Sequence, residues 1–346
     1  MSSPIRPTRR TALLVGINYR GTADELNGCY NDVVNVSQYL RTVLGYAPGA
    51  ISVLTDGNRD SPAFPASVAP TRQNIIAGMA ALVAGTVAGD EAVFHFSGHG
   101  TLVRDRNGDE VTGLDSCLCA LDYAGGGVIT DDEIRALLVN KVPRGARLYV
   151  FLDCCHNGTG CDVRFKYEDF SILLRPPSAR TAALWRTQQK AFVQGKYTET
   201  AGEVFMISGS RDEQTSADAY INNAFAGALT YAVFAILRAN QASIRTYSWS
   251  SLLRDVRHFM RVNRYSQIPQ LMTGQLITPT RPVFAVVAAA VAGARGGAAL
   301  ELTFGLIDGV TARSSEGSRS VSGATLFSFT PKSGSKAPRR GIQFIH

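Results

Sequence analysis

Residues 90–100 read DEAVFHFSGHG, and residues 147–156 read RLYVFLDCCH. Each stretch begins with an apolar run of the length typical of a buried strand and ends in small and polar residues. Around them, short apolar runs alternate with segments of helical periodicity over residues 11–284. This alternation predicts an α/β fold with a mostly parallel β-sheet flanked by helices on both faces.

The other elements are predicted from the same patterns. Further strands are expected at residues 11–17, 51–54, 203–209 and 268–272. Helices are expected at residues 27–44, 71–87, 225–237 and 248–262. Another helix begins after Thr130, where Glu133 completes a capping box. Residues 100–113 are interpreted as a polar loop with a hairpin tip at 105–109, and Trp249 as a core residue.

The composition excludes several classes of protein. Of the 346 residues, 45% are hydrophobic and 18% charged, which is too apolar for an intrinsically disordered chain. The apolar run at 283–294 is shorter than the about 20 residues that a membrane span requires, and the N-terminus carries no evident secretory signal. Six cysteines without a scaffold pattern indicate a reduced chain, so a cytoplasmic location is expected.

Residues 285–346 form a predicted C-terminal appendage with a basic, partly disordered tail. They contribute +4 to the net charge of +7. Basic tails are typical of nucleic-acid partners, but aromatic residues are not interleaved with these charges as stacking platforms. A solvated tail is therefore preferred over nucleic-acid binding. The basic residues are Arg295, Arg313, Arg319, Lys332, Lys336, Arg339 and Arg340.

Two side chains suited to covalent catalysis follow the two central strands. His99 comes directly after the first and Cys155 directly after the second. Functional loops of open parallel sheets collect at the carboxyl ends of the strands, so we expect these residues to lie together. An imidazole can activate a thiol and later protonate a leaving amine. The pair is the minimum needed for acyl-transfer chemistry.

The other cysteines are interpreted as structural. Strand alternation places Cys154 on the face opposite Asp153 and Cys155, where a buried cysteine is common. A zinc site built from Cys29, Cys117 or Cys119 with the later cysteines is disfavoured, because the spacings match no known zinc pattern.

Several motifs in order resemble the caspase-like cysteine peptidases, and specifically the metacaspases with their prokaryotic relatives. The resemblance covers about residues 11–284 and implies a caspase-like fold. With the first strand beginning near Thr11, a form without a long prodomain is expected. The motifs are GINYRGTADELNGCYNDV (16–33), HFSGHG (95–100), GLDSCLCALDY (113–123), ITDDEI (129–134), FLDCCHNG (151–158) and ISGSRDEQTSADA (207–219).

The resemblance implies a division of the chain and a set of catalytic roles. An extension at 1–10 precedes a large-subunit-like part at 11–162, a linker at 163–202 and a small-subunit-like part at 203–284. His99 would be the general acid/base and Cys155 the nucleophile. The backbone N–H groups of Gly100 and Cys155 would hold the oxyanion. Asn157 departs from the family, which usually has Ser there.

The resemblance also implies cleavage after Arg or Lys. The positions that match the family's pocket are Asp32, Asp153, Cys29 and Ser97. A buried carboxylate pair is costly unless a cation neutralises it, and Arg can do so with two parallel hydrogen bonds. Read alone, Asp32 could instead be a surface carboxylate on a helix. The expected partners are therefore protein or peptide substrates with Arg or Lys at P1.

Four acids match the calcium-binding positions of calcium-dependent metacaspases: Asp115, Asp131, Asp132 and Asp162. Calcium prefers hard oxygen ligands such as carboxylates, so Ca²⁺ is the expected activator. An alternative for Asp131 and Asp132 is a favourable interaction with a helix N-terminus after Thr130. No organic cofactor is expected.

The basic residues of the linker are candidate sites of self-processing, which would make the chain a zymogen. Other functions stay open. These are a catalytically weak caspase-like scaffold that binds basic peptides, and a glutamine amidotransferase-like cysteine enzyme. Residues 212–218 would face the substrate or cap a helix. A monomer is slightly favoured over an edge-strand dimer. The linker candidates are Arg175, Arg180, Arg186, Lys190 and Lys196.

Overall fold

The structure is a computed structural model that describes residues 8–57, 64, 67–108, 110, 113–155, 161–167, 197–209, 218–221, 224–244, 246–277 and 281–284. Its strands are β1 (Arg10–Gly16), β2 (Ile51–Thr55), β3 (Glu91–Ser97), β4 (Gly100–Arg104), β5 (Leu114–Leu118), β6 (Ile129–Thr130), β7 (Arg147–Asp153), β8 (Phe165–Tyr167), β9 (Glu203–Ser208), β10 (Asp218–Ile221), β11 (Ala224–Gly227) and β12 (Gln270–Thr273). Its α-helices are α1 (Cys29–Thr42), α2 (Arg72–Val83), α3 (Tyr123–Gly126), α4 (Asp131–Leu137), α5 (Ala228–Ala239) and α6 (Trp249–Val262).

The main sheet confirms the predicted α/β architecture. Its strand order is β2-β1-β3-β7-β9-β12-β8. The first five strands are parallel, and β12 runs antiparallel to both of its neighbours. Strands β3 and β7 lie near the centre, and all seven residues of β3 are buried. Because β3 and β7 run parallel side by side, their carboxyl ends meet at one edge of the sheet.

Helices cover both faces of this sheet, as predicted. Alternate residues of β7 point to opposite sides, Tyr149 and Phe151 to one and Leu148 and Val150 to the other. Buried residues of α1, α5 and α6 pack on the first side, and those of α2 and α4 on the second. Trp249 confirms its predicted core role, because it is buried and its ring stacks on Phe205 at a centroid distance of 5.0 Å.

The prediction of a polar loop at residues 100–113 is wrong for its first part. Gly100–Arg104 forms β4, which pairs antiparallel with β5 in a separate three-stranded sheet. The short run Thr101–Val103 carries too few apolar residues to stand out by periodicity, and its strand conformation depends on pairing with β5. The turn of this hairpin lies between Arg104 and Leu114, in agreement with the predicted hairpin tip.

Two predicted boundaries also differ. The predicted linker 163–202 begins with a buried strand, β8, which lies at the edge of the main sheet. The predicted helix 225–237 begins later, at Ala228, because Ala224–Gly227 pairs with β10 as a hairpin. In both cases the strand has only three or four residues, which is too short for its hydrophobic pattern to be recognised in the sequence.

Several predictions concern residues outside the described part of the chain. They include the N-terminal extension up to residue 7, most of the linker (168–196), the loop 211–217 and the appendage 285–346. Within the described part, no helix is long and apolar enough to span a membrane.

The sheet order predicts that the chain stays assembled after a cut in the linker. Strands β9 and β12, which follow residues 168–196, lie between β7 and β8, which precede those residues. Strands β7 and β9 share six paired positions, and Arg147 forms an ion pair with Glu203 at 2.8 Å. A chain carrying a specific protease site within residues 168–196 should, once cut, co-elute as one species in gel filtration. Separation of the two fragments without denaturant would contradict this interlocked arrangement.

Candidate active site

The ends of β3 and β7 bring the predicted histidine and cysteine to one corner of the sheet. Ser97 and Asp153 are paired in register, and the Gly98 N–H donates to the Asp153 carbonyl at 3.3 Å. His99 and Cys155 each follow two residues later. Gly100 lies so close to Cys155 that a Cβ added there would be 2.1 Å from the Cys155 carbonyl oxygen. Only glycine permits this approach between the two loops.

The ring of His99 is oriented by a backbone carbonyl. Its Nε2 atom lies 2.7 Å from the carbonyl oxygen of Asp24. A carbonyl can only accept a hydrogen bond, so Nε2 carries the proton in the neutral ring and Nδ1 holds the basic lone pair. This tautomer suits a general base. Cys155 is fully buried and His99 partly exposed.

Tyr19 contacts both the backbone and the ring of His99, and it was not predicted as a site residue from the sequence. Its hydroxyl accepts a hydrogen bond from the His99 backbone N–H (2.9 Å) and donates one to the Cys119 carbonyl (2.6 Å). Its ring lies 4.6 Å from the imidazole, measured between centroids. Burial raises the pKa of Tyr19 well above its usual value, so the hydroxyl stays protonated. The position of Tyr19 shortly after the first strand, at the edge of the sheet where functional loops collect, could have indicated it.

Tyr123 holds Asp24, the residue whose carbonyl orients the His99 ring. The Tyr123 hydroxyl donates a short hydrogen bond to the Asp24 carboxylate, and this bond raises the pKa of Tyr123. Nearby, burial and then the charge of Cys155 raise the pKa of Cys119 to about 12, which keeps Cys119 a thiol. The surroundings of the predicted dyad are therefore tied together by tyrosine hydroxyls and backbone groups.

The predicted pocket residues Asp32 and Asp153 lie together beside this corner. Asp32 is fully buried on α1, and Asp153 is 4% exposed at the end of β7. Ser97 donates its hydroxyl to Asp32 at 2.6 Å, as expected for a pocket member. The alternative of a surface carboxylate at Asp32 is wrong. Cys29, one helical turn before Asp32, is also buried.

The N-terminus of α5 meets both carboxylates. The Gly227 N–H lies 3.0 Å from Asp32 Oδ2, and the Thr230 N–H donates to Asp153 Oδ2 at 2.7 Å. A Cβ added to Gly227 would be 2.3 Å from Asp153 Oδ2 and 2.7 Å from Asp32 Oδ2, so both oxygens converge on this glycine. Helix N-termini favour negative charge. The start of α5 therefore offsets part of the repulsion between the two buried acids.

His95 anchors this helix start from within the sheet. Its Nε2 atom is 3.1 Å from the Thr230 hydroxyl. Burial lowers the pKa of His95 to about 3, so the ring is neutral near pH 7. Neither Gly227 nor Thr230 was expected from sequence, because their contacts arise only when α5 packs against β7. Cys154 is buried with Leu152 and Val150 in the core, which confirms its structural interpretation.

A separate group of acids lies around the start of α4. Ligand oxygens of Glu110, Asp131 and Asp162 all lie within 4.8 Å of one another. Burial, then the charges of Asp131 and Glu110, raise the pKa of Asp162 to about 10. Two of the four sequence-predicted calcium ligands are thus brought together, and Glu110 joins them. The described cysteines are all buried and lie outside this group.

The other two predicted ligands are not members of this group of three. Asp132 accepts hydrogen bonds from the side chain of Asn107 at 2.8 and 2.7 Å and is near enough to raise the pKa of Asp162. Asp115 is buried in β5. Thr130 and Glu133 form the predicted capping box, while Asp131 accepts from the Ser116 N–H at 2.8 Å.

The acid group fits a calcium ion by the chemistry of its donors. All three are carboxylates, which calcium prefers. Asp162 is 1% exposed, and its Oδ1 atom has no hydrogen-bond partner among the described residues. A buried oxygen of this kind is costly unless something binds it. A divalent cation would both satisfy this oxygen and neutralise the neighbouring charges.

Arg135 joins the acid group to the chain on both sides of the linker. Its guanidinium donates to the Asp162 carbonyl by a short hydrogen bond and to the Thr198 carbonyl at 2.9 Å. It also lies over the ring of Tyr197, 5.3 Å from the centroid. Asp162 and Thr198, on the two sides of residues 168–196, are therefore held at the same place.

Comparison with known proteins identifies relatives that match most of this chain. A model of the metacaspase peptidase C14 domain matches residues 10–164. Metacaspase-1 of Pyricularia oryzae is 36% identical over 291 residues, which cover 76% of this chain and 71% of that protein. Metacaspase-1 of Yarrowia lipolytica is 35% identical over 291 residues; the match covers 76% of this chain but 61% of that protein. A crystal structure of a Geobacter sulfurreducens protein, 25% identical, aligns with a TM-score of 0.53 over 81% of this chain and 99% of that one.

Proposed function

The chain belongs to the metacaspase family of cysteine peptidases, and from this we propose that it is an endopeptidase that cleaves after Arg or Lys. Cys155 is the proposed nucleophile and His99 the general acid/base. The observation that carries the specificity is the buried pair Asp32 and Asp153, because Asp153 stands two residues before the nucleophile. A P1 guanidinium or ammonium would neutralise this pair.

The proposed reaction begins with proton transfer from the Cys155 thiol to His99 Nδ1. The thiolate attacks the scissile carbonyl carbon, and the oxyanion accepts hydrogen bonds from the N–H groups of Gly100 and Cys155. When the C–N bond breaks, His99 returns the proton to the leaving amine. Water, deprotonated by His99, then attacks the thioester and restores the thiol. The Asp24 carbonyl holds Nε2–H throughout and supports the imidazolium.

Calcium is the proposed activator. Asp131 and Asp162, with Asp115 and Asp132 beside them, would hold it. A bound Ca²⁺ ion would neutralise carboxylates that repel one another. Because Arg135 contacts the carbonyl of Asp162 and the segment before β9, the site is connected to the loop that carries Cys155. The proposed link between calcium and activity is the position of Asp162, seven residues after Cys155.

Self-processing within the linker is part of the proposal. Its candidate residues are basic, so they match the proposed P1 specificity. All five lie outside the described residues, between positions 168 and 196. The candidates are Arg175, Arg180, Arg186, Lys190 and Lys196.

Matched fluorogenic peptides ending in Arg, Lys or Asp test the proposed function directly. With Ca²⁺, cleavage of the Arg and Lys peptides is expected and the Asp peptide should remain intact, because two buried acids repel a third carboxylate. A calcium chelator should abolish the activity. Cleavage after Asp would contradict the pocket assignment, and activity that persists with chelator would contradict calcium activation. A folded chain that cleaves none of the peptides would favour a peptide-binding scaffold.

A further inference from the structure

Glu110 lies with the calcium-site acids although it is not one of the four positions matched by family resemblance. Its carboxylate lies within 4.8 Å of ligand oxygens of Asp131 and Asp162. Glu110 belongs to the connection between β4 and β5, and β4 begins at Gly100, next to His99. The carboxylate therefore reaches the acid group from the hairpin that continues directly from the predicted catalytic histidine.

A buried oxygen within this group points independently to a ligand. Asp162 is 1% exposed, and its Oδ1 atom has no hydrogen-bond partner among the described residues. Calcium takes six to eight oxygen ligands, more than aspartates alone supply unless they bind through both oxygens. A further carboxylate at this distance is the kind of ligand that the ion requires.

Tyr197 holds the Glu110 carboxylate in place. Its hydroxyl donates to Glu110 Oε1 at 2.7 Å, and its ring is buried against the guanidinium of Arg135. Hydrogen bonds from neighbouring groups commonly orient carboxylates that bind a metal. Tyr197 follows, and Asp162 precedes, the linker residues 168–196 that lie outside the described part of the chain. The acid group thus contacts three segments: the hairpin after His99, the chain after Cys155 and the end of the linker.

We propose that Glu110 is a calcium ligand and that Tyr197 is the residue that positions it. Calcium binding then ties the hairpin that follows His99 to the chain on both sides of the linker. This inference rests on the calcium site of the proposed function and extends it by one ligand and one positioning residue. It assigns Tyr197 a role that a merely structural tyrosine would not have, namely an influence on metal affinity.

The test is calcium titration by calorimetry on the full chain carrying Cys155→Ala, which removes self-cleavage. In this background, Glu110→Gln is expected to lower the affinity for Ca²⁺ at least about tenfold, and Tyr197→Phe by a smaller factor of several-fold up to about tenfold. Glu199→Gln is the matched control. Glu199 is exposed, lies two residues after Tyr197 and is outside the acid group, so its variant should bind like the parent.

The outcomes separate this inference from the proposal that it extends. If Asp131→Asn lowers the affinity for Ca²⁺ and Glu110→Gln does not, the role of Glu110 is overturned and the calcium site stands. If Tyr197→Phe binds Ca²⁺ with the affinity of the parent, the positioning role of Tyr197 is overturned. A parent that binds no Ca²⁺ would overturn the calcium site itself. Thermal unfolding with chelator confirms that each compared variant is folded. If Glu110→Gln fails to fold, Glu110→Asp decides in its place, because it keeps the charge but withdraws the carboxylate by one methylene; an affinity for Ca²⁺ equal to that of the parent would overturn the role of Glu110.

Discussion

Cys155→Ala is expected to abolish peptide cleavage, with a fall in kcat/KM of at least about 10³-fold. The substitution removes the sulfur that would form the proposed thioester, while the backbone N–H of residue 155 stays. His99→Ala should be about as severe, because the two side chains act as one unit and their effects are not additive. The measurement is hydrolysis of an Arg peptide by purified, folded variants in the presence of Ca²⁺.

Cys154→Ala is the matched control for this experiment. Its side chain is fully buried in the core with Leu152 and Val150, on the face away from Asp153. We expect loss of stability in the range of about 0.5–3 kcal/mol and nearly unchanged kcat/KM for the molecules that remain folded. The reverse pattern, with Cys154→Ala inactive and Cys155→Ala active, would transfer the nucleophile to the neighbouring cysteine.

The fold was predictable where hydrophobic patterns are long. The seven-residue strands β1, β3 and β7 and the helices α1 and α6 were found within a few residues of their observed bounds. Strand β8 could not be found this way, since three residues carry no periodicity. Its partner, β12, lies about a hundred positions later in the chain. Its conformation is decided by that distant pairing.

Some residues of the candidate site could likewise be predicted from the sequence, and others could not. His99, Cys155 and Asp153 could be located because strand ends are visible in sequence and parallel strands end at one edge. Gly227 ends strand β11 and Glu110 lies in the connection between β4 and β5, and the position of each depends on packing between distant elements. Their residue types alone carry no signal, since glycines and exposed-looking glutamates are common. The structure alone connects Gly227 with Asp32, 195 positions apart.

Asp153→Asn and Asp32→Asn are expected to remove most cleavage after Arg and Lys. Each loses one carboxylate charge of a buried pair while keeping the side-chain shape. The charge pair that is lost is the one between this carboxylate and the P1 cation. Loss of one partner in a buried, hydrogen-bonded pair of opposite charges costs about 2–5 kcal/mol, which corresponds to a fall of about 30-fold to several thousand-fold in kcat/KM. The loss should be larger for Arg and Lys peptides than for a peptide with an uncharged P1 residue. An equal loss for all peptides would indicate disruption of the catalytic corner, not of the pocket.

Gly227→Ala tests the same pocket without changing a charge. Residue 227 has a φ of −63°, which alanine adopts without strain, so the only conflict is spatial. The new methyl would lie 2.3 Å from Asp153 Oδ2 and must displace the two carboxylates that are proposed to recognise the P1 residue. A raised KM for Arg peptides is therefore expected, with kcat less affected. Gly49→Ala is the control, because nothing lies within 4 Å of a Cβ there. If both variants retain wild-type KM, Asp32 and Asp153 are held by α5 for stability, and the P1 cation is recognised elsewhere.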